Sequence, residues 1–438
     1  MSRNVLVIGS GGREHALVRQ LAQSPSEPAI YAAPGNPGTA LNGTNVDLDP
    51  ADHEAVVAFC RAKEIGLVII GPEDPLIAGL ADHLHKADIP VFGPGAQGAR
   101  LEGDKEFAKE ILTGAGVATP RYQAFSSSQA ALKYLDKMDL PVVIKACGAA
   151  QGKGVAVCST RPEAEEFIAE CLDAQRFGSS GLRILVEECI FGPELSVLIV
   201  TDGQSYALLA PSRDHKRIGE QDTGPNTGGM GAFAPVELGD ALYQEIDTRV
   251  VLPVLAELRR RDIPYRGVLY AGLMLTDSGP EVLEFNCRFG DPEAQVVLPL
   301  IRGDFLELCQ STAEGRLGSY LQGFSIEETG GPEGWPGAGL TDWNRHTVVV
   351  VAASDGYPGS YVKGHAIDLP SQDDEKGWII HAGTATTDQG LVTAGGRVLG
   401  AVGANESPAN ARDTAYGLLN DTHFTGLIYR RDIAAKRG

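Results

Sequence analysis

The stretch Val282-Leu-Glu-Phe-Asn-Cys-Arg-Phe-Gly-Asp-Pro-Glu-Ala-Gln295 decides how the rest of the chain is read. As a strand it sends successive side chains to opposite faces. Phe285, Cys287 and Phe289 then share an apolar face that can enter a core. Glu284, Asn286 and Arg288 share the other, spaced roughly 7 Å apart. A carboxylate and an amide carbonyl are hard oxygen ligands of the kind Mg²⁺ takes from a protein, with substrate phosphates completing its shell. Arg288, just beyond, can clamp phosphate or carboxylate oxygens with its planar fork. Gly290-Asp-Pro292 ends the strand. Alone, Glu-x-Asn-x-Arg also fits the solvated face of an edge strand, and the rest of the chain has to decide.

A chain of 438 residues has room for several domains and ample core. With 43% hydrophobic and 21% charged residues it has an ordinary globular composition. Its net charge of −20 repels nucleic acid and anionic membranes, so neither is expected as a partner. A small anionic substrate needs only a few local cations and stays open. The seven cysteines (60, 147, 158, 171, 189, 287 and 309) lack C-x-x-C spacing and read as reduced thiols of a cytoplasmic protein. The chain enters a strand at once, with no signal peptide expected. No apolar run approaches the roughly 18 residues of a membrane span.

Residues 1–100 alternate strands (Asn4–Ile8, Ala29–Ala32, Leu67–Ile70, Val91–Phe92) with helices (Glu14–Gln23, Asp52–Lys63, Leu76–Ala87), the pattern of a doubly wound parallel sheet. The first turn, Gly9-Ser-Gly-Gly-Arg-Glu14, carries Glu14 where a dinucleotide fingerprint needs its third glycine, and no acid follows the second strand. The free N–H groups of that helix start suit a single phosphate instead. After Gly103 comes a compact segment with helices over Glu106–Gly114, Gln129–Lys137 and Pro162–Ala174 and strands over Val142–Lys145, Val155–Val157 and Ile184–Glu188. Its glycine loop, Gly148–Gly154, joins two strands and so is no Walker A motif; it reads as a flap whose backbone N–H groups can cover phosphates.

Further on, Leu195–Val200 and Ser205–Leu209 suggest a hairpin, Asp214–Arg217 is a dense charge cluster, and Asp222–Gly231 is glycine-rich enough to read as loop. Loops of that length inside a domain are usually functional. Helix Tyr243–Arg260 and strand Val268–Leu275 lead into the opening stretch. A glycine- and proline-rich linker, Thr329–Gly339, precedes strands His346–Ala353, Gly377–His381, Gly390–Thr393 and Arg397–Val402 and helix Pro408–Asn420, together a small, mostly antiparallel unit.

Lys105, Lys145, the flap, Glu187-Glu188, Glu194, Glu284 and Asn286 follow one another in an order that resembles the ATP-grasp superfamily. Within it, Arg288–Gln295, Gly9–Ala16, Asp214–Arg217, Gly224–Gly231 and Gly356–Gly359 resemble motifs of the glycinamide ribonucleotide synthetase family across nearly the whole chain. The flap departs from that family's K-A-D-G-L-A-A-G-K-G, with Cys147 replacing its acid and Gln151 an alanine.

The resemblance implies an α/β and α+β multidomain fold. Its parts are an N-terminal doubly wound parallel sheet (1–103), a central ATP-grasp domain (104–121 and 191–327), a lid (122–190) and a C-terminal, mostly antiparallel domain (328–438). It implies a ligase joining glycine to 5-phosphoribosylamine with ATP and Mg²⁺ or Mn²⁺, with small-molecule partners only and compatible with a monomer; the alternative is another ATP-grasp carboxylate–amine ligase or carboxylase with a different acceptor. The implied metal ligands are Glu284 and Asn286. Nucleotide falls to Lys105, Lys145, Gly148, Gly152, Lys153, Gly154, Glu187, Glu188, Cys189 and Glu194, with Glu187–Cys189 meeting adenine through backbone and Glu194 the ribose. Arg288, Asp214 and Lys216 are the implied catalytic residues. Substrate falls to Gly11, Gly12, Arg13, Glu14, Glu73, Asn226, Gly290, Asp291 and Arg397. Arg397 reaches the sugar phosphate only if the C-terminal unit folds back over the first turn; Lys363 is a weaker candidate there.

Overall fold

The computed structural model describes residues 3–149, 154–327, 329–371 and 374–435. Its first hundred residues build a five-stranded parallel sheet with Asn4–Gly9 at the centre, between Ile30–Pro34 and Ile65–Ile70. Val5, Leu6, Val7 and Ile8 are all buried, as a strand covered on both faces requires. Its carboxyl edge brings the turn after Gly9 beside Gly71, whose N–H donates to Ile8 O. The helix expected over Leu76–Ala87 is in fact two, Glu73–Ile77 and Leu80–Lys86. Gly79 between them has φ 86°, a left-handed conformation that costs glycine nothing and that hydrophobic spacing cannot reveal.

The first part of the opening stretch belongs to the edge strand of a four-stranded antiparallel sheet, in the order Tyr206–Leu208, Glu194–Thr201, Gly267–Thr276, Gly279–Asn286. That strand ends at Asn286, before the expected stop at Gly290, and Glu293–Val297 is helical. The expected alternation holds: Phe285, Cys287 and Phe289 are buried, while Glu284, Asn286 and Arg288 are partly exposed. Facing this sheet is a second four-stranded one, Tyr122–Phe125, Ile184–Glu188, Val142–Ala146 and Val155–Cys158, with the helices Ser128–Leu135 and Arg161–Leu172 and its own apolar core. Tyr122–Phe125 was not anticipated; it has four residues and only Phe125 is buried. A bridge between Asp104 and Gly148 and the bond Lys105 N–H to Cys147 O (2.9 Å) tie this second sheet to the start of helix Lys105–Ala115, and Lys145 Nζ reaches Leu283 O on strand Gly279–Asn286 (3.1 Å).

Three expectations need correcting further on. Asp222–Gly231 is not all loop: Thr223–Asn226 pairs with Arg217–Gly219, and Gly231–Ala234 is a strand. Pairing uses backbone N–H and C=O groups, which glycine supplies without any side-chain pattern. That last strand pairs with His346–Ser354, so the C-terminal sheet has six strands, two of them (Arg213–Asp214 and Gly231–Ala234) from the middle of the chain. The helix over Tyr243–Arg260 contains a π segment, Asp247–Val251, between Asp240–Ile246 and Leu252–Arg260. The linker is anchored too. Trp335 is buried, edge-on to Tyr243, and donates to Leu209 O at 3.2 Å. Among the described residues no helix is long and apolar enough to cross a membrane.

Candidate active site

Four elements converge where Gly279–Asn286 ends. Strand Glu194–Thr201 contributes Glu194, the segment after Arg213–Asp214 contributes Lys216, and the start of helix Lys105–Ala115 and strand Val142–Ala146 contribute two further lysines. Lys216 Nζ donates to Glu194 Oε2 at 2.8 Å and lies 3.8 Å from Glu284 Oε1. These side chains are 32% (Lys216), 41% (Glu194) and 39% (Glu284) exposed. Burial alone would push the Glu284 carboxyl up, but Lys216, Lys145, Lys105 and Arg288 together hold it below its ordinary value. Burial likewise opposes the charge of Lys216, yet Asp214, Glu194 and Glu284 keep it protonated well beyond the ordinary range. Asp214, unlike Glu284, shifts upward: burial pushes its carboxyl up against the pull of Lys216.

Lys105 Nζ donates to Gly148 O at 3.1 Å; burial lowers its ammonium, with Glu284 opposing. Lys145 Nζ pairs with Glu187 Oε2 at 2.8 Å and donates to Leu283 O at 3.1 Å. Glu188 turns outward and accepts from the backbone and side chain of Arg121 (2.7 and 2.6 Å). Cys189 is a half-buried free thiol and Gly154 O accepts from Ala146 N–H at 2.7 Å. Gly152 and Lys153, in the centre of the expected flap, lie outside the described residues.

Arg288 is locked by acids on two helices. Its Nη2 donates to Glu102 Oε1 (2.5 Å) and to Asn286 Oδ1 (3.3 Å), and its Nε to Glu73 Oε2 (3.2 Å). Burial would raise Glu73, but Arg288 and Arg13 hold it low. Arg13 Nε donates to Glu14 Oε1 at 2.6 Å, and Glu14 Oε2 accepts from Gly11 N–H at 2.6 Å, bracing the glycine turn. A side chain at Gly12 would place its Cβ 2.8 Å from Gln295 Nε2, so any other residue there would displace that amide. Gln295 Nε2 in turn donates to Asp291 Oδ1 (2.9 Å), and Arg397 Nη2 donates to Asp291 Oδ2 (2.9 Å). Arg397 Nη1 also donates to Asp291 O at 2.8 Å and to Gly228 O. The C-terminal sheet thus does fold back onto the first turn.

Of the expected site residues, Gly11, Gly12, Arg13, Glu14, Glu73, Arg288, Asp291 and Arg397 form one network, with Gly290 O capping the next helix through Ala294 N–H (3.1 Å). Lys105, Lys145, Glu194, Asp214, Lys216 and Glu284 form the other. Asn226 stands on the exposed hairpin and makes none of these contacts, and Lys363 is exposed. Glu102, Lys109 and Asn36 were missed. Lys109 sits one helical turn beyond Lys105, a spacing that puts both on one face. Asn36 follows a strand at the carboxyl edge of the parallel sheet, where such sheets bind ligands; it donates to Ser10 O (2.8 Å) and His381 O (3.0 Å). Glu102 left no local signal.

Among the described residues no group of three His, Cys, Asp or Glu could hold a metal by itself. One carboxylate and one amide oxygen on a common face fit a hard ion that takes its remaining ligands from phosphate and water.

Family models for the N domain, the ATP-grasp (A) domain and the C domain of phosphoribosylglycinamide synthetase match residues 3–102, 103–294 and 347–436. The chain is 44% identical over 442 residues to the phosphoribosylamine–glycine ligase of Rhodopirellula baltica, spanning 99% of this chain and 97% of that one. A crystal structure of phosphoribosylamine–glycine ligase from Thermotoga maritima matches with a TM-score of 0.81 at 32% identity, over 98% of this chain and 99% of that one. The biotin carboxylase domain of Hydrogenobacter thermophilus 2-oxoglutarate carboxylase, solved with MgADP, ADP and bicarbonate, shares the fold at a TM-score of 0.71 and 15% identity, over 98% and 92%.

Proposed function

The chain belongs to the phosphoribosylglycinamide synthetase family, and we propose that it ligates glycine to 5-phosphoribosylamine, with ATP cleaved to ADP and phosphate, as a step of purine biosynthesis. The observation that carries the reading is the convergence of Lys105, Lys145 and Lys216 around Glu284, with the pair Arg397–Asp291 on the segment that follows the same strand.

A carboxylate is a poor electrophile. In the proposed sequence an oxygen of glycine attacks the γ-phosphorus, the bond from that phosphorus to the β-phosphate oxygen breaks, and ADP leaves a glycyl phosphate. The amine then attacks the acyl carbon, the carbon–oxygen bond to phosphate breaks, and the amine gives up one proton. Such transfers need alignment and charge neutralisation more than covalent help. Lys105 and Lys145 would meet the triphosphate, Glu194 would accept from the ribose hydroxyls, and the backbone of Glu187–Cys189 would meet adenine. Glu284 and Asn286 would hold Mg²⁺ or Mn²⁺, which when bound neutralises charge on the transferring phosphoryl group. Arg288, fixed by Glu73 and Glu102, would orient the glycine carboxylate or that phosphoryl group, with Asp214 and Lys216 opposite it. The flap with Gly148, Gly152, Lys153 and Gly154 would close over the phosphates and keep water from the glycyl phosphate. Gly11, Gly12, Arg13, Glu14, Glu73, Asn226, Gly290, Asp291 and Arg397 would receive phosphoribosylamine.

The seven free cysteines suit the cytoplasm. The test is ADP release with glycine and phosphoribosylamine together and with each omitted in turn. Turnover that needs both supports the reading. Undiminished ADP release without phosphoribosylamine, or equal rates with unrelated amines, removes it.

A further inference from the structure

Beneath the proposed nucleotide site two lysines from different elements share one carboxylate. Glu187, on strand Ile184–Glu188, has a side chain only 1% exposed. Lys145 Nζ meets its Oε2 at 2.8 Å, while Lys109 Nζ, from helix Lys105–Ala115, lies 3.2 Å from its Oε1. Lys109 also donates to Thr119 Oγ1 at 2.6 Å, and that hydroxyl donates to Val282 O at 2.7 Å. Lys145 donates to Leu283 O at 3.1 Å. The cluster therefore joins the lid sheet, the helix and the strand that bears Glu284.

We infer that Lys109 is a positioning residue for nucleotide binding: it holds Glu187 so that Lys145 can leave that carboxylate for a phosphate. The inference rests on the reading in which Lys145 meets the triphosphate. A buried carboxylate stripped of its only cation is strongly disfavoured. With Lys145 as sole partner, Glu187 would keep it; with Lys109 tethered alongside by Thr119, one cation can depart and the carboxylate remains paired.

The surroundings of Lys109 add a pH signature. Burial pulls its ammonium down to about 8; Glu187 and, more weakly, Glu281 favour the charge, Lys145 opposes it, and the Tyr122 ring lies 5.2 Å away. Below that pH Lys109 is charged and Lys145 is free to move. Above it Lys109 turns neutral, Glu187 retains Lys145, and nucleotide binding weakens.

The experiment is calorimetric titration of the full chain with a non-hydrolysable ATP analogue and Mg²⁺ from pH 7.0 to 9.5. Wild-type Kd should rise by up to about tenfold per pH unit above 8. Lys109→Arg, whose charge does not titrate there, should bind like wild type at pH 7.0 and lose markedly less affinity than wild type by pH 9.5, any remaining loss being that of Lys105, whose ammonium burial also lowers. Lys109→Met should bind at least about tenfold more weakly at pH 7.0, with little further loss on raising the pH. Flat wild-type binding, an alkaline loss as large in Lys109→Arg as in wild type, or wild-type affinity in Lys109→Met overturns the inference. If Lys109→Met does not fold, the arginine comparison decides alone. Wild-type protein that fails to bind the analogue at pH 7.0 overturns the ligase reading as well, whereas normal wild-type binding with unaffected variants overturns only the role of Lys109.

Discussion

On the lid side of strand Gly279–Asn286 the cations are lysines that share their acids: Lys109 and Lys145 on Glu187, Lys216 between Glu194 and Glu284. On the N-terminal side they are arginines forked into fixed partners: Arg288 on Glu73 and Glu102, Arg13 on Glu14, Arg397 on Asp291. The two chemistries suit different tasks. A lysine is a point charge on a flexible stem that can exchange one oxygen for another, whereas the planar guanidinium holds a geometry through several directed bonds. In the proposed reading, the lysine side would trade partners when a polyanion arrives and the arginine side would present a preset surface.

The sharpest way to break this contrast is at Glu284 and Asn286, where the two sides meet. Glu284→Gln or Asn286→Ala should lower turnover by at least about a hundredfold, on the scale of removing one preorganised electrostatic contact, with the fold intact. ADP release at saturating Mg²⁺ and Mn²⁺, with circular dichroism melting as the control, measures both. Full activity in either variant would take the strand end out of the active site.

Arg397→Ala probes the preset side. The KM for phosphoribosylamine should rise about tenfold, the loss expected of a charge-assisted contact worth about 1.5–3 kcal/mol, while those for ATP and glycine barely move. Because Asp291 already occupies part of the Arg397 fork, a change in glycine or ATP saturation instead would mean that this arginine only braces the Gly228 and Asp291 backbone.

The smallest effect concerns the junction behind the arginine side. His15 Nδ1 accepts from His381 N–H at 2.8 Å, and both rings are buried. Burial, then His381 and Arg19, bring the His15 ring down to about 3, and burial brings His381 to about 4. Both folded values lie below the unfolded value near 6.5. Their contribution to stability is therefore present above pH 6.5 and is lost as pH falls toward 4. Between pH 7.0 and 5.5, urea denaturation should show wild type losing about 1 kcal/mol more than His15→Asn, whose amide oxygen can still accept from His381 N–H. Equal losses in the two proteins would remove His15 from that dependence.

Local chemistry made much of this legible. The buried run Asn4–Ile8, the alternation through Glu284, Asn286 and Arg288, and the Gly9–Gly12 turn announce themselves because a strand's period and a helix start are written in adjacent residues. Asp222–Gly231 was misread for the same reason: period is a property of side chains, and a glycine-rich strand has almost none.

The sequence by itself determined which residue types lie at the end of the central strand, from spacing within a few residues, and that the first sheet is parallel, from the alternation of strands and helices over residues 1–100. Only the tertiary structure decided what those residues touch. Glu102 reaches Arg288 across 186 positions and Arg397 reaches Asp291 across 106; the C-terminal sheet takes two strands from the middle of the chain. Which acid neutralises which buried cation depends on how separate sheets pack. The desolvation that makes such a pairing obligatory exists only once that packing is complete.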